Sequence, residues 1–78
     1  MKTVVITGSA RGLGYEMAKN FRAANFNVVL SDINEENLSK SVEDLKSLPG
    51  EGEVIGVKCN VTVLDDVENL AKVTKDTF

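Results

Sequence analysis

The sequence predicts an α/β fold in which three strands alternate with three helices around a parallel sheet. Three short apolar runs rich in β-branched residues are each followed by a longer segment whose apolar residues recur at helical spacing. The connections are only a few residues long, as short parallel βαβ units require. The pattern is therefore βαβαβα, an incomplete half of a doubly wound sheet with strand order 3-2-1.

The first predicted strand runs from Thr3 to Thr7 and is ended by Gly8, because this β-branched run is too short for a helix. After a glycine-rich turn, an amphipathic helix is expected to end near Asn25. Its apolar face is formed by residues at helical spacing, namely Leu13, Met17, Ala18, Phe21 and Ala24. Basic residues are scattered singly along the chain, Arg22 among them, and are expected on solvated faces.

The remaining elements follow the same pattern. Val28 to Leu30 forms a buried strand, and Asn34 is the expected N-cap of a helix that continues to Leu48. The third strand contains Gly56, whose missing side chain either admits a close neighbour or weakens the strand. Thr62 is expected to start the last helix as a capping residue. The apolar face of that helix consists of Val67, Leu70, Ala71, Thr74 and Phe78.

Composition places the chain among small globular domains. With 42% apolar and 27% charged residues it can build a core, although 78 residues give a stability on the order of only 3–5 kcal/mol. A net charge of −3 without a basic patch argues against a nucleic-acid surface. One cysteine, Cys59, and no histidine leave no zinc or copper ligand set and favour a reducing, cytoplasmic setting. No apolar run reaches the ~20 residues needed to span a bilayer.

The turn between the first strand and the first helix carries the main functional signal. It reads Thr7-Gly8-Ser9-Ala10-Arg11-Gly12-Leu13-Gly14. Gly8 is expected to take the tight turn, Gly12 to let the backbone approach a pyrophosphate, and Gly14 to let the helix pack closely on the sheet. N–H groups near Gly12 and Leu13 then lie at a helix start, where they can bind phosphate oxygens. A turn that merely connects strand to helix is the alternative.

The spacing T-G-x-x-x-G-x-G resembles the cofactor fingerprint of the short-chain dehydrogenase/reductase family, which has a three-layer Rossmann-type parallel sheet. The resemblance covers essentially the whole chain, because the tripeptides at 31–33 and 60–62 fall where that family places adenosine contacts. It implies an NAD(P)-dependent oxidoreductase that transfers a hydride between nicotinamide and a carbonyl or alcohol substrate. The cofactor-binding residues that it implies are Thr7, Gly8, Ser9, Arg11, Gly12, Leu13, Gly14, Asp32, Asn60 and Val61.

Two residues bear on the choice between NAD and NADP. Asp32 stands 20 positions after Gly12, where a carboxylate at the end of the second strand can accept hydrogen bonds from the adenosine ribose. A 2′-phosphate would face a like charge there, so NAD is expected and NADP is less favoured. Arg11 is the opposing signal, because NADP-using relatives often carry a basic residue just before the second glycine. The structural alternatives are a turn or cap role for Asp32 and a solvated loop position for Arg11.

The adenine contacts rest on Asn60 and Val61. Asn60 stands where the family usually has an aspartate, and its amide can accept or donate a hydrogen bond. Val61 would offer apolar surface to the adenine ring. Asn60 and Thr62 could instead simply end a strand and begin a helix.

We expect no catalytic residue in the chain. Tyr15 and Lys19 match the family's catalytic Y-x-x-x-K by letter, but they directly follow the glycine turn, whereas the family's pair lies on a much later helix, so we interpret the match as coincidence. We therefore expect residues 1–78 to be the cofactor-binding fragment of a larger single-domain enzyme, which could be a homo-oligomer. The alternatives are a short nucleotide-binding protein without catalysis, an unfolded inactive remnant, and a binder of nucleotide sugars or methyl donors.

Overall fold

The computed structural model describes residues 1–78 and contains the six predicted elements in the predicted order. The strands are β1 (Thr3–Thr7), β2 (Asn27–Asp32) and β3 (Val54–Lys58), and the helices are α1 (Gly12–Ala23), α2 (Glu35–Lys46) and α3 (Leu64–Thr77). β2 lies between β1 and β3 and pairs with both in parallel, which confirms the strand order 3-2-1. No helix has the length and apolar character needed to cross a bilayer.

Most of the core lies between the sheet and the helices α1 and α2. Successive residues of β2 point to opposite faces, so that Val28 and Leu30 face these two helices. The seven buried residues of this cluster are Ile6, Ala18, Val28, Leu30, Leu38, Leu45 and Val54. Gly56 faces the same side, where a Cβ would lie 2.7 Å from Cγ2 of Val42. Gly56 therefore admits a close neighbour, α2, which decides between its two predicted roles.

A smaller core lies on the opposite face, under α3, and completes the three predicted layers. It consists of Val29, Val57, Cys59 and Leu70. Cys59 is 3% exposed and packs as a small apolar residue, as expected. The face of α3 that the sequence marks as apolar is only partly covered, because Leu70 alone is buried.

The helix starts agree with the prediction at α2 and not at α3. Asn34 caps α2, since its side chain accepts a hydrogen bond of 2.9 Å from the N–H of Asn37. The prediction that Thr62 starts α3 is wrong: Val63 is the N-cap residue, without a side-chain hydrogen bond. The hydroxyl of Thr62 instead donates to Oδ1 of Asn60 at 2.7 Å. The competing Asn60 side chain holds Thr62 in the preceding turn.

The buried face of α1 agrees with the predicted one only in part, at Ala18 and Phe21. Ala18 is fully buried, but Leu13 is 78% and Met17 43% exposed. The buried side follows Ala18 and Arg22, with Tyr15 packed against the core. Helical spacing therefore identifies residues that share a side of α1, but it does not identify which side the sheet and α2 cover.

Arg22 corrects the expectation that the basic residues are solvated. It is 8% exposed, and its guanidinium donates hydrogen bonds to the backbone C=O groups of Gly52 and Leu48. The stem of Arg22 also runs close to Gly50, where a Cβ would lie 3.1 Å from Cδ of Arg22. The charge is tolerated inside because it supplies donors to carbonyls in the loop between α2 and β3.

Candidate functional site

The glycine-rich turn lies at the carboxyl end of β1 and runs directly into α1. Gly8 and Gly12 have φ angles of 61° and 67°, in the left-handed region that favours glycine. A Cβ at either position would meet no atom within 4 Å, so the space beside the turn is open. At Gly14, by contrast, a Cβ would lie 2.8 Å from the carbonyl oxygen of Gly8, so α1 starts directly against the turn.

The N-terminus of α1 has no capping group. Arg11 occupies the N-cap position without a side-chain hydrogen bond, and the first turn contains no acidic residue. Asn34 caps α2, by contrast, and acidic residues occupy the first turns of both α2 and α3. The backbone N–H groups of Gly12, Leu13 and Gly14 donate no hydrogen bond within the protein. They are available to an anion at the positive end of the helix dipole.

Ser9 and Ala10 form the buried base of the turn. The hydroxyl of Ser9 accepts a hydrogen bond of 2.9 Å from the N–H of Ser31 and donates to the C=O of the same residue. The Ser9 side chain therefore anchors the turn to the end of β2 and does not lie on the turn's surface. Thr7, which precedes the turn, is exposed and pairs with Ser31 in the sheet register.

The carboxylate of Asp32 is held by both of its oxygens. Oδ2 accepts a hydrogen bond of 3.2 Å from the N–H of Ala10, and Oδ1 accepts one of 3.1 Å from the N–H of Asn34. Each carboxylate oxygen has a second lone pair, so both can accept further hydrogen bonds. The turn role and the ligand role of Asp32 are therefore compatible, because the backbone contacts fix a carboxylate that can still accept from a ligand.

A cavity of about 170 Å³ opens where the three strands end. Its lining residues are Gly8, Asp32, Ile33, Cys59, Asn60 and Val61. The fold thus brings four predicted site residues together at the carboxyl ends of parallel strands, the edge at which ligands bind in open α/β sheets. Ile33 and Val61 are 58% and 60% exposed and give this cavity apolar surface. No lysine or arginine lines it.

Asn60 has one free polar group. Its Oδ1 accepts hydrogen bonds from the N–H and the hydroxyl of Thr62, at 3.0 and 2.7 Å. Its own backbone N–H donates to Oδ2 of Asp66 at 3.0 Å. Because both lone pairs of Oδ1 are used, the side chain has only its NH₂ group to offer to a ligand.

Arg11 borders a second cavity, on the other side of the turn. This cavity has a volume of about 390 Å³ and is lined by Ala10, Arg11, Gly12, Tyr15, Glu16, Asn37, Lys40, Ser41 and Asp44. Its lining has both signs of charge, since Arg11 and Lys40 are basic and Glu16 and Asp44 are acidic. Arg11 lines this cavity and does not line the cavity that contains Asp32.

Tyr15 and Lys19 do not form an activated pair. Burial, followed by the nearby Asp44 carboxylate, raises the pKa of Tyr15 above its ordinary value. The ammonium of Lys19 forms an ion pair with Glu16 at 3.0 Å and lies 5.7 Å from the centre of the Tyr15 ring. An active-site tyrosine of the resembled family has a lowered pKa instead, so this geometry supports coincidence. No group of three or more His, Cys, Asp or Glu side chains is arranged to hold a metal ion.

The glycine turn, the open N-terminus of α1 and the held carboxylate at the end of β2 are features of Rossmann-type dinucleotide-binding proteins. Comparison with known families narrows this class. The model of the short chain dehydrogenase family matches residues 2–78. The chain therefore belongs to the short-chain dehydrogenase family, as the glycine spacing predicts.

Individual relatives agree with this membership. The chain is 41% identical over 73 residues to a chloroplastic chlorophyll(ide) b reductase of Oryza sativa, covering 94% of this chain and 21% of that protein. A short chain dehydrogenase/reductase from Burkholderia phymatum in complex with NAD superposes with a TM-score of 0.85 at 33% identity, covering 92% and 25% of the two chains. An alcohol dehydrogenase from Thermococcus sibiricus complexed with 5-hydroxy-NADP gives 0.90 at 27% identity, covering 100% and 33%. The chain thus spans a fifth to a third of the length of these relatives.

Proposed function

We propose that residues 1–78 are the dinucleotide-binding part of a longer NAD-dependent oxidoreductase, which transfers a hydride between nicotinamide and a carbonyl or alcohol substrate. The observation that carries this proposal is the uncapped N-terminus of α1, which begins at Gly12 with a positive φ and lies beside the held carboxylate of Asp32. Family membership supports the reaction type. When bound, a nicotinamide dinucleotide supplies or accepts the hydride.

The pyrophosphate, the adenosine ribose and the adenine each have a matching group in the site. The N–H groups of Gly12 and Leu13 can bind the pyrophosphate, and the carboxylate of Asp32 can accept from the adenosine ribose. The NH₂ group of Asn60 can donate to a ring nitrogen of adenine, which is one of the two roles expected for this amide, because its oxygen is occupied by Thr62. Ile33 and Val61 can cover the faces of the ring with apolar surface.

The charges around Asp32 favour NAD over NADP. No cation lines the cavity that contains this carboxylate, so nothing there offsets the repulsion of a 2′-phosphate. Arg11 lines the other cavity, where Glu16 and Asp44 already supply negative charge.

The catalytic groups of the proposed enzyme lie outside residues 1–78, because neither Tyr15 nor Lys19 is suited to the role. The chain alone should therefore bind the cofactor without turning over substrate. A cytoplasmic location is part of the proposal, since a single buried cysteine fits a reducing compartment.

The variant Gly12→Ala tests the pyrophosphate contact. The methyl group would strain the left-handed backbone and project into the open space beside the turn. We expect NADH binding to weaken roughly tenfold or more, because hydrogen bonds to charged groups contribute about 1.5–3 kcal/mol each. Titration calorimetry at millimolar NADH measures the affinity, and urea unfolding measures the accompanying loss of stability.

Asn25→Ala is the matched control for Gly12→Ala. Asn25 has a similar positive φ of 65°, at the end of α1 that is remote from the turn. Asn25→Ala should lose stability, both through the backbone and because the side chain no longer accepts the hydrogen bond of 3.1 Å from the N–H of Glu51, and it should keep its NADH affinity. Equal NADH affinity in wild type and Gly12→Ala, or no binding by the wild type at millimolar concentration, would contradict the proposed site.

The variant Asp32→Asn tests the choice of cofactor. Removing the charge should shift the ratio of NADPH to NADH affinity toward NADPH by about tenfold, because the like-charge repulsion of the 2′-phosphate is lost. Asp76→Asn makes the same change of net charge at an exposed position near the end of α3 and should leave the ratio unchanged. Titrations of each variant with NADH and with NADPH measure this ratio of affinities. An unchanged ratio in Asp32→Asn refutes the assignment of the carboxylate.

A further inference from the structure

We propose that Ser41 of α2 positions the phosphate-binding turn and thereby controls cofactor affinity without touching the cofactor, an inference that rests on the proposed function. Ser41 is 7% exposed and lies two turns into α2. Its hydroxyl donates a hydrogen bond to the C=O of Ala10, 31 residues earlier in the sequence. No feature of the sequence distinguishes Ser41 from its exposed neighbour Ser39.

The Ala10 residue is fixed from two sides. Its N–H donates to Oδ2 of Asp32 at 3.2 Å, and its C=O accepts from Ser41. No backbone N–H donates to this carbonyl, so Ser41 is its partner within the protein. Because Ala10 is 7% exposed, the carbonyl would otherwise lack most of its solvation. Asp32 of β2 and Ser41 of α2 together therefore set the orientation of Ala10, the last residue of the turn that is held by hydrogen bonds.

The orientation of the Ala10 carbonyl determines where the phosphate donors point. The next residue, Arg11, is extended, with φ −162° and ψ 174°, and is exposed. Gly12 follows at positive φ. The side chain of Arg11 makes no capping hydrogen bond, and Gly12 has no side chain, so neither residue fixes the tip of the turn by itself. Donors that are held in place before binding lose less entropy when a ligand arrives, so anchoring Ala10 should raise affinity for an anionic ligand.

Three variants separate the role of the hydroxyl from a general effect on α2. Ser41→Ala removes the hydroxyl. Ser41→Thr keeps it, and the added methyl group can enter the cavity of about 390 Å³ that Ser41 lines. Ser39→Ala makes the same serine-to-alanine change at an exposed position of the same helix and gives the same gain in helix propensity.

The experiment compares the free chain and its complexes by NMR. Backbone ¹⁵N order parameters of Gly12 and Leu13 are measured in the free chain, and ADP and adenosine are titrated separately. In Ser41→Ala the order parameters should fall from about 0.85 toward 0.6, the range of flexible backbone. ADP affinity should fall about fivefold, as expected for one net hydrogen bond, while adenosine affinity stays unchanged. Ser41→Thr and Ser39→Ala should match the wild type.

Two results would overturn the positioning role. One is that Ser41→Ala behaves like Ser39→Ala in both the order parameters and ADP binding. The other is that Ser41→Ala weakens ADP and adenosine equally and lowers the melting temperature, which indicates a purely structural role. Failure of the proposed function is distinguishable, because a wild-type chain that binds neither ligand refutes nucleotide binding. In that case, unchanged order parameters in Ser41→Ala would still refute the anchoring of the turn, and a fall would support it.

Discussion

The two faces of the sheet are covered unequally. On one face, α1 and α2 close over seven buried core residues, whereas α3 alone covers four on the other. α2 contributes three buried residues to the structure, and α3 contributes only Leu70. The glycine-rich turn is anchored to β2 and to α2, at Ser31, Asp32 and Ser41. The elements that hold the turn are thus among the best packed in the chain.

The face under α3 leaves an apolar groove beside β1. Val5 points to this side of the edge strand and is 42% exposed. The groove has a volume of about 450 Å³ and is lined by Val5, Val67, Leu70, Ala71, Thr74 and Lys75. Core residues that border an open groove lose fewer contacts on truncation than residues enclosed on all sides. The two faces should therefore respond differently to the same substitution.

The largest expected effect comes from truncating one leucine on each face. Leu45 of α2 is 0% and Leu70 of α3 5% exposed, so Leu→Ala removes a buried side chain in both cases. We expect Leu45→Ala to lower the free energy of unfolding by about 4 kcal/mol and Leu70→Ala by about 2 kcal/mol, near the two ends of the usual range. Because the whole domain has only about 3–5 kcal/mol, Leu45→Ala should be largely unfolded.

Urea unfolding followed by circular dichroism measures the free energy of unfolding of the wild type and of Leu70→Ala, and the circular dichroism signal without urea measures the folded fraction of Leu45→Ala. The m-value serves as the control, since an unchanged slope shows that the same surface is exposed in the wild type and in Leu70→Ala. Equal losses in Leu45→Ala and Leu70→Ala would show that the groove beside β1 does not weaken the α3 face, and the comparison between the faces would fail.

A smaller effect is expected from overfilling the tightest contact on the well-covered face. In Gly56→Ala the new Cβ would lie 2.7 Å from Cγ2 of Val42, so the Val42 side chain or α2 must shift. We expect a loss of about 1–3 kcal/mol, the usual cost of overpacking. The double variant Gly56→Ala/Val42→Ala should recover part of this loss, because the second change removes the clashing methyl. A double-mutant cycle by urea unfolding measures the coupling, and simple additivity of the two losses would show that Val42 is not the obstacle.

The sequence predicts the elements of the fold well because local chemistry specifies them. The three β-branched runs and the Asn34 cap act over a few residues, and the structure confirms both. The side of α1 that is buried is predicted only in part, at Ala18 and Phe21, because it also depends on where α2 and the sheet pack. Exposed Leu13 and buried Arg22 are the result. Thr62 is not the cap of α3 for a related reason. The Asn60 side chain lies two residues before Thr62, as close in sequence as the start of α3, and it accepts the hydrogen bonds of Thr62.

For the candidate site, the sequence predicts the backbone conformation of the glycine-rich turn but not the hydrogen bonds that hold its residues in place. Positive φ at Gly8 and Gly12 and the close approach at Gly14 follow from the glycine spacing alone. The occupied oxygen of Asn60 and the hydroxyl of Ser41 depend on partners that only the folded chain brings together. A serine in mid-helix has many possible partners, so no sequence pattern assigns Ser41 to Ala10.

The smallest expected effect is on the pH dependence of stability, which Tyr15 of α1 influences through its position near Asp44 of α2. Burial and Asp44 raise the pKa of Tyr15 above its ordinary value of 10.0, so the folded chain keeps the phenol proton at a pH where the unfolded chain releases it. The resulting stability is present below about pH 10 and is lost as the pH rises through the raised pKa. Tyr15→Phe removes this term and should flatten the alkaline loss of stability.

Urea midpoints of wild type and Tyr15→Phe, compared between pH 8 and pH 11, isolate this contribution, because the lysines that also titrate near pH 10 are common to both proteins. The difference between the two proteins should be constant up to about pH 9 and then change in favour of Tyr15→Phe. A parallel decline of stability in both proteins would mean that the phenol has the same pKa in the folded and unfolded chains. The packing of α1 against α2 would then leave the Tyr15 hydroxyl as accessible to water as the groove beside β1 leaves Val5.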